Sequence, residues 1–240
     1  MAKRKSRKST SLAAAPRLLL GRALRFMLKA VVLLALVVAA LIALGRFVNP
    51  STTPYMFSES RRLGGVAYEW VDFDRIAPVM ARAAVASEDA NFCEHWGFDL
   101  VAIKQAIDEG ANRGASTISQ QTVKNVYLWH GRNYTRKALE ALLTPALELF
   151  WSKRRILEVY LNVAEFDEGV FGVQAAARHY FGVDARDLTD VQAARLAAIL
   201  PDPKDRSASR PSDFVRKRAR SVLSGAATIG KDGRAACFES

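Results

Sequence analysis

Ser87-Glu88-Asp89-Ala90-Asn91-Phe92-Cys93-Glu94-His95-Trp96-Gly97-Phe98-Asp99 sets four carboxylates, a histidine and a glycine among apolar residues, directly after an alanine-rich helical run. A solvated helix face would space its charges at helical intervals. Here Glu88 closes one apolar segment, and Phe92, Trp96 and Phe98 resume the next. A carboxylate held against aromatic rings loses hydration, which raises its affinity for a proton. That is the setting of a general acid or base and equally of a buried salt bridge, so the flanking sequence has to decide.

Upstream, the charge distribution excludes a nucleic-acid partner. The chain is formally +11, but ten of its 35 basic residues precede Glu59, the first acidic one. The remaining 25 face 24 acidic residues, so the body is close to neutral and the basic character belongs to the tail, residues 1–25. An uncharged apolar run from Ala30 to Gly45 follows. Sixteen helical residues span about 24 Å, short of a hydrocarbon core of about 30 Å. Extended to 26–48, with Lys29 and Arg46 snorkelling, the segment becomes a transmembrane anchor. Nine of the ten positive charges lie before the run, which puts the N-terminus in the cytoplasm and everything after about residue 48 outside the membrane. The run lacks a clear Ala-x-Ala cleavage site, which disfavours a signal peptide.

Residues 49–58 read as a Pro/Ser/Thr linker, and 59–240 as one domain of about 180 residues, enough for a substantial core. The pattern there is mostly α. Leu139, Leu142, Leu143, Ala146, Leu147 and Phe150 mark one apolar helix face. Thr189-Asp190-Val191-Gln192 fits a capping box, and Pro201 and Pro203 stop the helix it starts. No strand-turn-strand alternation stands out. Cys93 and Cys237 can pair or remain two thiols; the sequence leaves both open. The three histidines show no metal-ligand spacing, so no tightly held metal is expected.

Three further segments carry chemistry. Arg113-Gly114-Ala115-Ser116-Thr117-Ile118-Ser119-Gln120-Gln121-Thr122-Val123-Lys124-Asn125 combines small residues with hydroxyls, amides and a lysine. It reads as a sugar- and phosphate-binding surface or as a polar helix start capped by Ser116 or Thr117. Arg136 and Glu140 share a helix face, by default an ordinary surface ion pair. Lys153-Arg154-Arg155-Ile156-Leu157-Glu158-Val159-Tyr160-Leu161-Asn162, followed by Gly169–Ala177, reads as tight helix packing.

In this order the four segments resemble the peptidoglycan glycosyltransferases of family 51, whose pattern runs Glu-Asp-x-x-Phe-x-x-His-x-Gly, Gly-Gly-Ser-Thr-Ile-Thr-Gln-Gln-x-x-Lys-Asn, Arg-Lys-x-x-Glu and Lys-x-x-Ile-Leu-Glu-x-Tyr-Leu-Asn. The match covers about residues 75–205. Ala115 and Ser119 depart from it in the manner of the monofunctional branch, and Asp167 stands where glycine is common. The resemblance implies a lysozyme-like, two-lobed α domain that polymerises lipid II into β-1,4 glycan by an inverting displacement, releasing undecaprenyl pyrophosphate. It implies Glu88 as base, Glu140 as second catalytic carboxylate, and Ser116, Thr117, Gln121, Lys124, Asn125 and Arg136 as substrate contacts. His95 and Asp89 then brace the first motif. Mg²⁺ or Mn²⁺ with the pyrophosphate is compatible with this chemistry, as are other cell-wall or division proteins as partners. No Ser-x-x-Lys occurs, so cross-linking activity is not expected. An apolar flank should dip into the bilayer; Tyr127, Leu128 and Trp129 are candidates for it or for the core. The rival classes are a glycan-cleaving enzyme, which needs no pyrophosphate-binding cations, and a non-catalytic scaffold.

Overall fold

The computed structural model describes residues 14–110, 114, 116–131 and 133–239. The basic residues of the tail up to Lys8, Arg113 and Ala115 of the Arg113–Asn125 segment, and Arg132 lie outside them. The chain divides into two units, residues 1–42 and 43–240. Helix α1, Ala14–Gly45, runs through the first. Its segment Gly21–Gly45, with a mean hydropathy of 2.8, is long and apolar enough to cross a membrane. At about 37 Å those 25 residues exceed a hydrocarbon core.

The first helix lying wholly within the second unit starts inside the stretch expected to be linker. Helix α2, Pro54–Leu63, starts there because Thr53 caps it, its side chain accepting from Met56 N at 3.2 Å, and Pro54 occupies the first turn. A proline read as a breaker is a helix starter when a capping residue precedes it. Tyr55, Met56 and Glu59 are buried, so 54–58 is part of the folded body.

The remaining elements follow in order: β1 (Ala67–Tyr68), α3 (Pro78–Glu88), α4 (Leu100–Asp108), α5 (Ile118–Tyr127), α6 (Tyr134–Phe150), α7 (Lys153–Val163), β2 (Glu165–Asp167), β3 (Val170–Phe171), α8 (Val173–Phe181), α9 (Asp190–Ile199), α10 (Asp213–Ile229) and α11 (Ala236–Glu239). The domain is mostly α. The strands form one small sheet in the order β1-β3-β2, with β1 parallel and β2 antiparallel to β3. Strands of two or three residues are too short to leave an alternation in the sequence. Asp167 sits in β2, where its carboxylate accepts from Tyr180 Oη at 2.8 Å and Glu168 N at 2.8 Å.

Two helix groups face each other. In one, α3, α9 and α10 pack together. Ala81, Ala83, Ala84, Ala193, Ala194, Ala197 and Ala198 are all buried there, and small side chains let the axes approach closely. In the other, α5 packs on α6 and α7 around Ile118, Val123, Leu147, Ile156 and Leu157. The capping box at Thr189 is present, with Gln192 as its reciprocal partner.

Helix α6 departs from its expected packing: of the predicted apolar face Leu147 is buried, Leu139, Leu143, Ala146 and Phe150 are half-buried, and Leu142 is exposed. The face turned inward carries Glu140, Thr144, Leu147 and Glu148, while Leu142 and Leu149 are 71% and 67% exposed. Periodicity finds an apolar face but not the medium it meets, and here charged residues face inward with partners. Glu148 accepts from Ser119 Oγ and from Lys153 Nζ at 2.8 Å. Leu128 is buried, and Tyr127 packs against the Trp151 ring, so of the three residues proposed as a membrane flank only Trp129 is exposed.

Cys93 and Cys237 are joined in a disulfide. Around it, Phe238 is fully buried beside Phe92, Arg234 Nη1 donates to Ala90 O at 3.2 Å, and Arg154 Nη1 donates to Phe238 O at 2.9 Å. Helix α11 is thereby fastened to the Ser87–Asp99 stretch and to α7.

Candidate active site

Glu88 is the last residue of α3, where the helix end delivers its side chain between the two helix groups. Its carboxylate is 9% exposed and held on both oxygens. Ser87 Oγ lies 3.0 Å from Oε1, and Gln121 Nε2 donates to Oε2 at 3.1 Å. Gln121 is itself oriented by the hydroxyl of Tyr160, 3.3 Å from its Oε1. Arg218 Nη2 stands 3.7 Å from Glu88 Oε1.

Asp89 locks the first motif to the second. Its Oδ1 is 2.8 Å from His95 Nε2, and its Oδ2 accepts from Ile118 N, in the first turn of α5, at 2.9 Å. A carboxylate at a helix N-terminus is favoured by the unpaired amides there. Thr117 caps the same helix in a full capping box with Gln120, and its hydroxyl donates to Gly97 O at 2.7 Å. That hydroxyl is buried and committed to the fold, so of the two readings of Thr117 the geometry favours the cap. Gly97 is required there: its φ is +87°, and a Cβ would lie 2.6 Å from Thr144 of α6.

Glu140 is 2% exposed on the inner face of α6. Arg136 Nη1 donates to its Oε2 at 2.7 Å, and Lys137 Nζ to its Oε1. The side chains of Arg136 and Glu140 are 11% and 3% exposed, so this is a desolvated pair and not the surface pair expected by default. Lys137 also donates to Ser116 Oγ at 3.0 Å.

Lys124 lies one turn from Gln121 on α5. Among the described residues its ammonium makes no hydrogen bond or ion pair. Burial pushes its ammonium below the usual lysine range; Arg136 and Lys137 add to this, while Glu140 and Glu88 oppose it. A desolvated cation with no bonded anion is costly in a resting fold, and an anionic ligand would relieve it.

Glu88, Ser116, Gln121, Lys124, Arg136 and Glu140 line one cavity of ≈ 570 Å³. Asn125 lines an adjoining one of ≈ 310 Å³ with Tyr55, His130, Glu165 and Lys204; Gln121 and Lys124 belong to both. Thr117 lines a third, of ≈ 230 Å³, on the other side of Glu88 and Ser116. The first cavity also includes Ser87, Arg206 and Arg218, which sequence alone does not single out. Arg218 sits among Arg216, Lys217 and Arg220, a run that reads as a solvated helix face.

A helical domain in which a buried carboxylate and half-buried cations line one cavity fits the class of glycan-handling enzymes, and comparison with known proteins specifies it. Residues 58–227 match the Transglycosylase family. The chain belongs to that family. It is 57% identical over 235 residues to the biosynthetic peptidoglycan transglycosylase of a Jannaschia species, covering 98% of this chain and 97% of that one. The protein of the same description from Caulobacter vibrioides is 44% identical over 227 residues, covering 91% and 99%. That from Escherichia coli is 54% identical over 160 residues, covering 65% and 66%.

Proposed function

We propose that this chain polymerises lipid II into β-1,4 glycan strands of peptidoglycan, with Glu88 as the base. A sugar hydroxyl is a weak nucleophile at neutral pH and needs a positioned proton acceptor. Glu88 takes the proton of the 4-hydroxyl as its oxygen attacks the anomeric carbon of the growing chain. The bond from that carbon to the pyrophosphate breaks, and undecaprenyl pyrophosphate leaves with the electron pair. A single displacement inverts the α-linked donor to a β linkage.

The observation that carries this reading is Lys124, a half-buried lysine whose ammonium has no hydrogen-bond or ion-pair partner among the described residues, in the same cavity as Glu88. Its charge and the planar fork of Arg136 fit the oxygens of a departing pyrophosphate. Glu140 holds Arg136 and Lys137 in place and balances their charge. Ser116, Gln121 and Asn125 complete the polar lining on the substrate. Mg²⁺ or Mn²⁺, where one takes part, would enter with the pyrophosphate oxygens. A glycan-cleaving enzyme has no use for such cations.

A polyprenyl substrate stays in the bilayer, so the domain works at a membrane surface. Leu142 and Leu149 of α6, and Trp96, Leu100, Val101 and Ile107 around α4, are the exposed apolar side chains we assign to that contact. Only Ala106 of α4 is buried, so this helix has little packing of its own to satisfy. The basic tail places the N-terminus in the cytoplasm and the domain outside the inner membrane. Other cell-wall or division proteins are its expected partners there.

The test is lipid II turnover by the detergent-solubilised full chain beside Glu88→Gln, following glycan and undecaprenyl pyrophosphate together. Polymer from the wild type and its collapse by about 10²-fold or more in the variant is the expected result. Shortening of preformed glycan without polymer would replace the polymerase by a cleaving enzyme.

A further inference from the structure

Glu88 is approached from α5 by Gln121 and from α10 by Arg218, a residue given no part in the reaction so far. Arg218 Nη2 donates to Ser87 Oγ at 3.1 Å and to Ser87 O at 3.4 Å, and lies 3.7 Å from Glu88 Oε1. The last distance is beyond a direct hydrogen bond, so the contact with Glu88 is charge to charge and is relayed through Ser87. The Ser87 hydroxyl has one proton and two acceptors in reach, Glu88 Oε1 at 3.0 Å and Ala197 O of α9 at 2.9 Å. By donating into that oxygen, Arg218 fixes the hydroxyl as a donor toward those two groups. The guanidinium also leaves its Nε buried without a hydrogen-bond partner among the described residues, a cost that fold stability alone does not explain. Such local losses are tolerated where a site needs the geometry.

We infer that Arg218 is a positioning residue for Glu88, holding its carboxylate in the orientation that receives the sugar proton. This rests on Glu88 being the base. The groups around the carboxylate divide the work: Gln121, steadied by Tyr160, sets Oε2, while Ser87 and Arg218 set Oε1. Lys124, Arg136, Lys137 and Arg206 share the cavity but make no bond to Glu88, which leaves their charge to the pyrophosphate in the proposed reaction. Arg218 therefore acts on the proton-transfer step and not on affinity for the anionic substrate.

The experiment measures initial rates of polymerisation against lipid II concentration for the full chain and for Arg218→Met, Arg218→Lys, Ser87→Ala, Glu88→Gln and the double variant Glu88→Gln/Arg218→Met. Arg218→Met should lower kcat about 10- to 100-fold, since misplacing a reacting group by about 1 Å costs about 10²-fold, while KM stays within about twofold. Arg218→Lys, which keeps the charge and a donor, should recover most of the rate. In the Glu88→Gln background, Arg218→Met should remove nothing further, because both changes disable one unit. A rise in KM at unchanged kcat would make Arg218 a substrate-phosphate contact, and additive losses in the double variant would separate it from Glu88; either overturns the proposal. Full activity of Glu88→Gln would overturn the assignment of the base itself, an outcome distinct from an inactive Glu88→Gln beside an unaffected Arg218→Met, which sinks only Arg218. Should Arg218→Met fail to fold, Ser87→Ala carries the test: kcat must fall at constant KM, and a wild-type kcat refutes the relay.

Discussion

Lys124 shows how one side chain links burial to catalysis. Its ammonium is pushed below the usual lysine range by burial and by Arg136 and Lys137, so in the free enzyme its charge is lost at lower pH than that of a solvated lysine. If that charge holds the pyrophosphate, kcat/KM must fall on the alkaline side as Lys124 deprotonates. Arginine stays charged across the accessible range. Lys124→Arg should therefore move the alkaline limb of the kcat/KM profile to higher pH, whatever it does to the maximum; an unmoved limb would remove Lys124 from the binding step. Thr117 is the opposite kind of residue. Its hydroxyl caps α5 and reaches Gly97 O, so Thr117→Ala should cost about 1–2 kcal/mol of unfolding free energy, read from a denaturant midpoint. The sequence announces both residues in one motif but cannot say which side chain faces the cavity and which faces the helix end. Arg218 it hides altogether, because nothing in the spacing of a basic helix distinguishes one arginine turned inward from its neighbours in water.

At the scale of elements, α6 is the informative case. Its 3.6-residue periodicity is visible in the leucines, yet Glu140, Thr144 and Glu148 occupy the inner face. Apolar residues go inward only when water is the alternative. Where a helix meets lipid, the leucines can point out and the paired carboxylates in. Leu142→Gln/Leu149→Gln should then leave the detergent-solubilised rate within about twofold, since exposed substitutions rarely exceed about 0.5 kcal/mol, but lower the rate on lipid II in vesicles. Equal rates in both settings would exclude α6 from the bilayer surface. Helix α2 teaches a related lesson: Thr53-Pro54 stops nothing and starts a turn whose buried members anchor the domain. Glu59 in that helix is held down at about 2 by Arg62, against burial, and by Lys204. A carboxyl depressed by folding adds stability above its unfolded value of 4.5, lost as pH falls toward about 2. Because Arg62 and Lys204 are partly exposed, that contribution is about 1–2 kcal/mol after screening. Glu59→Gln should flatten the fall of the urea midpoint between pH 5 and pH 2.5, and an unchanged slope would assign the acid transition elsewhere.

For the whole molecule, the mostly α class, the apolar N-terminal helix and the ordered motifs are legible in the sequence because each rests on local pattern. The disulfide is not, since two cysteines 144 residues apart meet only through the packing of everything between them. Chain-entropy reasoning for a loop of that length gives about 5 kcal/mol, and native bridges usually deliver about 2–4. Cys93→Ala/Cys237→Ala should lose stability in that range by chemical denaturation. A loss below about 1 kcal/mol would mean that Phe238, Arg234 and Arg154 hold the segment without it.

The same separation has a consequence in time. When Cys93 emerges from the ribosome its partner has not yet been made, and at about 5–20 residues per second a separation of 144 residues takes about 7–30 s to synthesise. Until then the stretch holding Glu88 is present but untied, and any oxidant that meets Cys93 alone meets a thiol without its mate. The carboxylate proposed as the base is therefore written early in the chain and fastened late, by residues that arrive only after both helix groups have been synthesised.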